Sequence, residues 1–217
     1  HIYNSSVSGA TILFPTNTLG KEYYSINYKN VSNEDNSNPW FYVIATDTGT
    51  TTVQIILSAN SIFHLAGDTI TVNLQQGQIF NIMGQLLTQS NPYNAVDLTG
   101  SKIKSIASGT GGCKRIAVFS GSGKINISCG SLNNNSADNY MAQCFPKDAW
   151  GKKYLTVPTK SLNNNIYRIC VQDPATVVTV NNLPIAVPLT NNFFYELPQT
   201  SVPQKDRKST RLNSSHA

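Results

Sequence analysis

Between Gly67 and Gly77 the sequence reads GDTITVNLQQG, and apolar residues fall at every second position, with Ile70, Val72 and Leu74 on one side and Thr69, Thr71 and Asn73 on the other. A period of two marks a strand with one buried face, because successive side chains of extended backbone point in opposite directions. The pattern recurs along the chain. Residues 51–57, TTVQIIL, place Val53, Ile55 and Leu57 on one face, and Asp47-Thr48-Gly49 turns the chain into them from residues 40–46, WFYVIAT. Residues 10–14, 21–28 and 78–82 read as further strands. Turns arrive every ten or so residues, and no long stretch shows the 3.6-residue period of an amphipathic helix. The chain is predicted to be all-β, built as internally duplicated antiparallel β-sandwich or barrel-like units. Propeller-like blades are the alternative, since they use short strands at similar spacing.

The buried run at residues 114–120, KRIAVFS, has Ile116 and Val118 on one face and Ala117 and Phe119 on the other, so both faces should be covered. Gly121-Ser122-Gly123 reads as a turn, and KINIS (124–128) as its half-exposed hairpin partner. Upstream lies DLTGSKI, and some thirty residues downstream lies PKDAWGKKY. These segments resemble the IgGFc-binding protein N-terminal domain family, over most of the chain. The matching residues are Asp97, Leu98, Thr99 and Gly100, then Ala117, Val118, Phe119, Ser120 and Gly121, then Trp150, Gly151 and Lys152. Two departures stand out. SIASGTGGCKRIAV is an insertion with Arg115 where the family has proline, and residues 130–144 differ from vertebrate members in the direction of a bacterial branch. The resemblance implies surface binding or adhesion within a multidomain parent, with an immunoglobulin Fc, another surface protein or a glycan as the ligand.

Four cysteines, Cys113, Cys129, Cys144 and Cys170, have neither CxxC spacing nor histidine neighbours, which argues against zinc. A hairpin centred near Ser122 would bring Cys113 opposite Cys129, so the expected disulfides are Cys113–Cys129 and Cys144–Cys170; four buried thiols are the competing reading.

An internal repeat adds to the duplication argument. GKEYY at Gly20 recurs as GKKYL at Gly151, FYVIATDTGTTTVQI at Phe41 as IYRICVQDPATVVTV at Ile166, and GQIFNI as NNFFYEL. The expected units are 1–130 and a truncated 131–205 that lacks its counterparts of the DLTG and AVFSG strands. Residues 206–217, DRKSTRLNSSHA, read as a translated sequencing adapter outside the fold. A signal peptide is expected upstream of His1, outside this sequence.

Composition excludes some classes. Charged residues make up 12% of the chain, about half the ~25% usual for soluble domains, and such uncharged polar surfaces suit secreted β-proteins. The 16 basic and 11 acidic residues give +5, and setting aside residues 206–217 removes three basic and one acidic residue, which leaves +3. That charge does not support nucleic-acid binding. No apolar run approaches the ~20 residues that span a bilayer, so no membrane insertion is expected.

Catalytic constellations fail on spacing. His64, between Phe63 and Leu65 at what reads as a strand end, is the single histidine outside the chain ends, and no G-x-S-x-G elbow accompanies it. The glycines before Lys124 do not form a P-loop, because Val118 and Ile125 stand where glycine and a hydroxyl are required. Asp47, Asp68, Asp97 and Asp173 sit at predicted turns, where backbone capping explains them. Residues 31–38 lack the order of a calcium loop. Asn-rich loops at 132–139 and 162–165, N-x-[ST] triplets at Asn4, Asn30, Asn126 and Asn134, and the aromatics Tyr140, Trp150 and Tyr154 are candidate contact features, with solvated loops and core packing as the plainer readings. The resulting expectation is a non-enzymatic extracellular module of a larger secreted or cell-surface protein, without cofactor, that binds a protein or glycan. A structural spacer is the first alternative; a glycan-processing domain with two facing carboxylates is the second.

Overall fold

The computed structural model describes residues 2–4, 7–35, 37–107, 112–126, 137–157, 165–198 and 205–209. They divide into two compact units, residues 1–149 and 150–217. Among the described residues the first holds twelve strands: Ile2–Asn4 (β1), Val7–Gly9 (β2), Glu22–Tyr24 (β3), Asn30–Ser32 (β4), Pro39–Ala45 (β5), Thr51–Ile56 (β6), Thr69–Leu74 (β7), Ile79–Met83 (β8), Tyr93–Ala95 (β9), Lys102–Ile106 (β10), Ile116–Ile125 (β11) and Asp138–Gln143 (β12).

Two four-stranded antiparallel sheets dominate this unit. One runs β3-β10-β6-β7 and is called the lysine sheet below; the other runs β12-β11-β5-β8 and is called the aromatic sheet. Their inner faces share one core. Tyr23, Val53, Ile55 and Ile103 of the lysine sheet pack with Phe41, Val43, Ile116 and Val118 of the aromatic sheet, all of them fully buried. Register explains the layering: Ile103 stands opposite both Tyr23 and Ile55, and Val43 opposite both Val118 and Phe80. The unit is thus a sandwich of two open sheets whose inner residues alternate with outer ones.

The second unit holds Lys153–Leu155 (β13), Arg168–Cys170 (β14), Val177–Val180 (β15), Leu183–Pro184 (β16), Phe194–Glu196 (β17) and Lys205–Ser209 (β18). Its sheets run β13-β18-β15-β16 and β14-β17. Asn181 and Asn182, at φ of 52° and 67°, form the two-residue link between β15 and β16; asparagine tolerates this left-handed backbone better than most residues. A small core of Ile169, Val171, Val178 and Leu197 closes the unit.

The expected strands at 40–46, 51–57 and 69–74 match β5, β6 and β7 closely. Three expectations need correction. The Gly121–Gly123 turn does not exist: β11 runs unbroken from Ile116 to Ile125, with a register shift against β12 between Ser122 and Lys124. Residues 10–14 form no strand; Phe14 instead packs over Phe119. The strand expected at 21–28 is confined to Glu22–Tyr24, because beyond Tyr24 the backbone leaves the sheet to meet residues 98–101. In the second unit, Lys205–Ser209 pairs with both β13 and β15.

The disulfide expectation is also corrected. Among the described residues no disulfide forms: Cys113, Cys144 and Cys170 are unbridged. The Cys113–Cys129 pairing relied on the absent hairpin, and Cys129 itself lies outside the described residues. Cys144 is in the core, and its Sγ lies 2.9 Å from Ser120 Oγ. Burial pushes the Cys144 thiol up to about 11, against the hydrogen bond from Ser120.

Candidate functional site

Within the first unit, the residues that carry the family resemblance lie at a buried junction between the two sheets rather than on a surface. Leu98 is completely buried, and its carbonyl accepts hydrogen bonds from the hydroxyls of Ser58 and Ser101, each at 2.9 Å. Asp97 Oδ1 accepts from the Thr99 amide and hydroxyl at 3.0 and 2.6 Å. The Thr99 hydroxyl also bonds the Asn27 carbonyl at 2.8 Å and accepts from the Asn27 amide at 3.0 Å. Gly100, at φ of 94°, donates its amide to the Ser25 carbonyl at 2.9 Å; a side chain there would be strained.

Asn27 carries this network across to the aromatic sheet. Its side-chain amide donates to the carbonyls of Trp40 and Gly121, each at 2.9 Å. Ser120 Oγ accepts from the Ile26 amide at 3.1 Å. Gly121 is required by close approach, since a Cβ there would lie 2.2 Å from the Tyr140 carbonyl oxygen and 2.6 Å from the Trp40 ring. Val118 fills the core, and Ala117 and Phe119 lie on the outer face beneath Phe14 and Leu19. These polar groups are buried and hydrogen-bonded to the backbone, so they fix how the two sheets dock. In the second unit Trp150 packs against Phe193 at 6.0 Å, Gly151 donates its amide to the Tyr154 hydroxyl at 2.7 Å, and Lys152 is exposed.

Arg115, where the resemblance leads one to expect proline, has a local reason. Its amide donates to Asp47 Oδ2 at 2.8 Å and its guanidinium forks onto Asp47 Oδ1 at 2.8 and 3.1 Å, an arrangement proline cannot make. The Arg115 side chain and amide together hold the Asp47 carboxyl below its ordinary range. This pair engages a carboxylate that acid–base chemistry would need free. Glu22 is another, paired with Lys102 at 2.9 Å and Lys147 at 3.3 Å. Among the described residues no cluster of histidine, cysteine, aspartate and glutamate could hold a metal ion. His64 lies in a turn, its backbone tied to Ser61, not at a strand end as expected.

The surface offers a clearer candidate. The outer face of the aromatic sheet is built from three cross-strand rows: Met83–Trp40–Gly121, Asn81–Tyr42–Phe119 and Ile79–Ile44–Ala117. Trp40 stacks on Tyr42 with centroids 5.3 Å apart, and Tyr42 on Phe119 at 5.0 Å. Phe14 and Leu19 cover the β11 end of these rows. The β8 end is open, with Ile79 58% and Met83 39% exposed. Beside it the turn after β6 exposes Ile62, Leu65 and, at 86%, Phe63. A cleft of about 400 Å³ lies between this turn and β8, lined by Ile62, Phe63, His64, Phe80, Ile82 and Met83 among others. Sequence reasoning missed this site because it placed residues 63–65 at a strand end; large apolar residues crowded into a turn were the available signal.

No helix of the described residues is long and apolar enough to cross a membrane. No curated protein and no solved structure matches the chain. The profile of the family described as IgGFc binding protein matches residues 9–210. A match over that length, with the DLTG and AVFSG segments at the buried junction between the sheets of the first unit, places this chain in the IgGFc-binding protein family.

Proposed function

We propose that the chain is a non-enzymatic extracellular binding module, part of a larger secreted or cell-surface protein, and that its ligand is a protein docking on the β5–β8 half of the aromatic face. The observation that carries this is the exposure of Ile79, Met83, Ile62, Phe63 and Leu65 around half-buried Trp40 and Tyr42. Clustered large apolar and aromatic side chains of this kind mark protein interfaces. The family's description, which speaks of binding an immunoglobulin fragment, supports a protein over a glycan. The ring stack points the same way, because Tyr42 spends its faces on Trp40 and Phe119 and keeps none open for a sugar ring.

The same reading treats the two units as copies of one design. Strand orders β3-β10-β6-β7 and β13-β18-β15-β16 correspond element by element, as do the pairs β5-β8 and β14-β17. Tyr23 opposite Ile103 has its counterpart in Tyr154 opposite Asp206.

A spacer without a ligand is the second reading, favoured by the burial of the DLTG and AVFSG residues in the scaffold. The test is biolayer interferometry of the intact chain against immunoglobulin Fc and a panel of extracellular proteins, alongside a glycan array. Binding to a protein that Met83→Lys weakens by roughly tenfold or more supports the module. Silence on every surface leaves the spacer.

A further inference from the structure

Strand β8 is the outermost strand of the aromatic sheet, paired on one side with β5. The ladder fixes which of its backbone groups are used. Gly84 donates to the Pro39 carbonyl at 2.7 Å, so with the register Phe41–Ile82 and Val43–Phe80 the amides and carbonyls of Phe80 and Ile82 face β5. Those of Ile79, Asn81 and Met83 face the other way. The Met83 carbonyl accepts from the Ile62 amide at 2.9 Å, which confirms the direction and shows the turn closing that end of the edge. Among the described residues no backbone group pairs with the outward amides and carbonyls of Ile79 and Asn81.

Exposed edges are normally blunted by charge or proline. The five residues of β8, IFNIM, carry neither. The edge also borders the apolar cleft between β8 and the Ser61–His64 turn. By contrast β7, the outer strand of the lysine sheet, exposes Thr69, Thr71 and Asn73. A free amide row supplies directional hydrogen bonds to an extended chain, and a neighbouring pocket selects alternate side chains; together they are the requirements of strand addition.

We infer that β8 is a strand-addition site: an extended peptide segment of the protein ligand, apolar at alternate positions, pairs with Ile79 and Asn81 and seats a side chain in the cleft lined by Ile62, Phe63 and Phe80. The inference rests on the binding-module reading above and adds the conformation and chemistry of the bound segment. Ser61 and His64 of the turn and Asn81 of β8 are the polar residues that line the cleft.

The test selects displayed short peptides on the intact chain, then follows amide hydrogen exchange with and without the selected peptide. Selected sequences should show period-two apolar residues and should slow exchange at Ile79 and Asn81. Asn81→Pro removes the outward amide while leaving the β5 ladder in place, as proline is tolerated on edge strands. It should weaken the peptide by about tenfold or more with its cooperative melt retained. If peptide or protein binds, Met83→Lys weakens it, but Asn81→Pro binds fully and the two amides exchange unchanged, strand addition is overturned and the binding face survives. If nothing binds the intact chain, both fall. If the chain self-associates with those amides protected, the occupant is a second copy and the inference is overturned.

Discussion

The two outer faces of the first sandwich are built on the same kind of strand and end up chemically opposite. On the lysine sheet, Lys102, Lys104, Gln54, Thr71 and Asn73 share the outer face, and the ion pairs of Glu22 tie its β3 edge. On the aromatic sheet, the corresponding positions hold Trp40, Tyr42, Ile44, Ile79 and Met83. Solubility requires only the first kind of face. The second keeps apolar area in water at about 25 cal/mol per Å² of lost burial, so it is the one that folding alone does not explain. Within it, the β11 half is covered by Phe14 and Leu19 and behaves as a second small core, while the β8 half stays open.

This contrast can be broken by substitution. The largest effect is expected at the covered half: Phe119→Ala should cost about 3–5 kcal/mol in urea unfolding, whereas Lys104→Ala on the opposite face should stay within about 0.5 kcal/mol. Equal costs would show that the two faces do not differ in the way described. Next comes Gly121→Ala, where the added Cβ meets the Tyr140 carbonyl and the Trp40 ring. Overpacking of this kind costs about 1–3 kcal/mol, and the Trp40 fluorescence maximum should move with it.

Glu22→Gln on the lysine face should cost below about 1 kcal/mol, since the pairs are partly exposed. Its pH dependence sharpens the test. Burial alone would raise the Glu22 carboxyl, but Lys102 and Lys147, by hydrogen bond and charge, bring it below its ordinary value. A depressed folded value means the contribution is complete above the unfolded pKa of about 4.3 and is lost as pH falls through the lower folded value. The wild type should therefore lose stability relative to the variant below about pH 4.3, and parallel acid titrations of the two would refute the pairing. The smallest effect is expected at Phe63→Ser, within about 0.5 kcal/mol of wild type by thermal melting, although the same substitution should weaken ligand binding. A large stability loss there would make Phe63 a packing residue and remove it from the site.

Much of the sandwich is legible in the sequence because burial on one face imposes a period that no other structure shares; β5, β6 and β7 follow from it almost residue by residue. The misreadings have a common cause, which is that local residue types report on more than one demand. Gly121 and Gly123 resemble a turn, yet Gly121 is needed so that Trp40 can lie across it. Residues 10–14 are apolar enough for a strand, yet part of that segment serves as a cover over Phe119. Asn27, which joins both sheets through four hydrogen bonds to Thr99, Trp40 and Gly121, gives no sequence signal, because its partners are 13 to 94 positions away. The candidate site was hidden for a similar reason: exposure of Ile79 and Met83 depends on what fails to cover β8, and a single strand's pattern does not carry that information.

The burial of Cys144 sets an order of events for its oxidation. Its sulfur is enclosed once the sandwich closes, and burial favours the protonated thiol over the reactive thiolate. Under oxidising conditions it stays reduced if folding outruns oxidation, and any cross-link through it must form before the sandwich closes. Cys113 is only partly covered, so the two thiols are open to oxidants over different spans of folding.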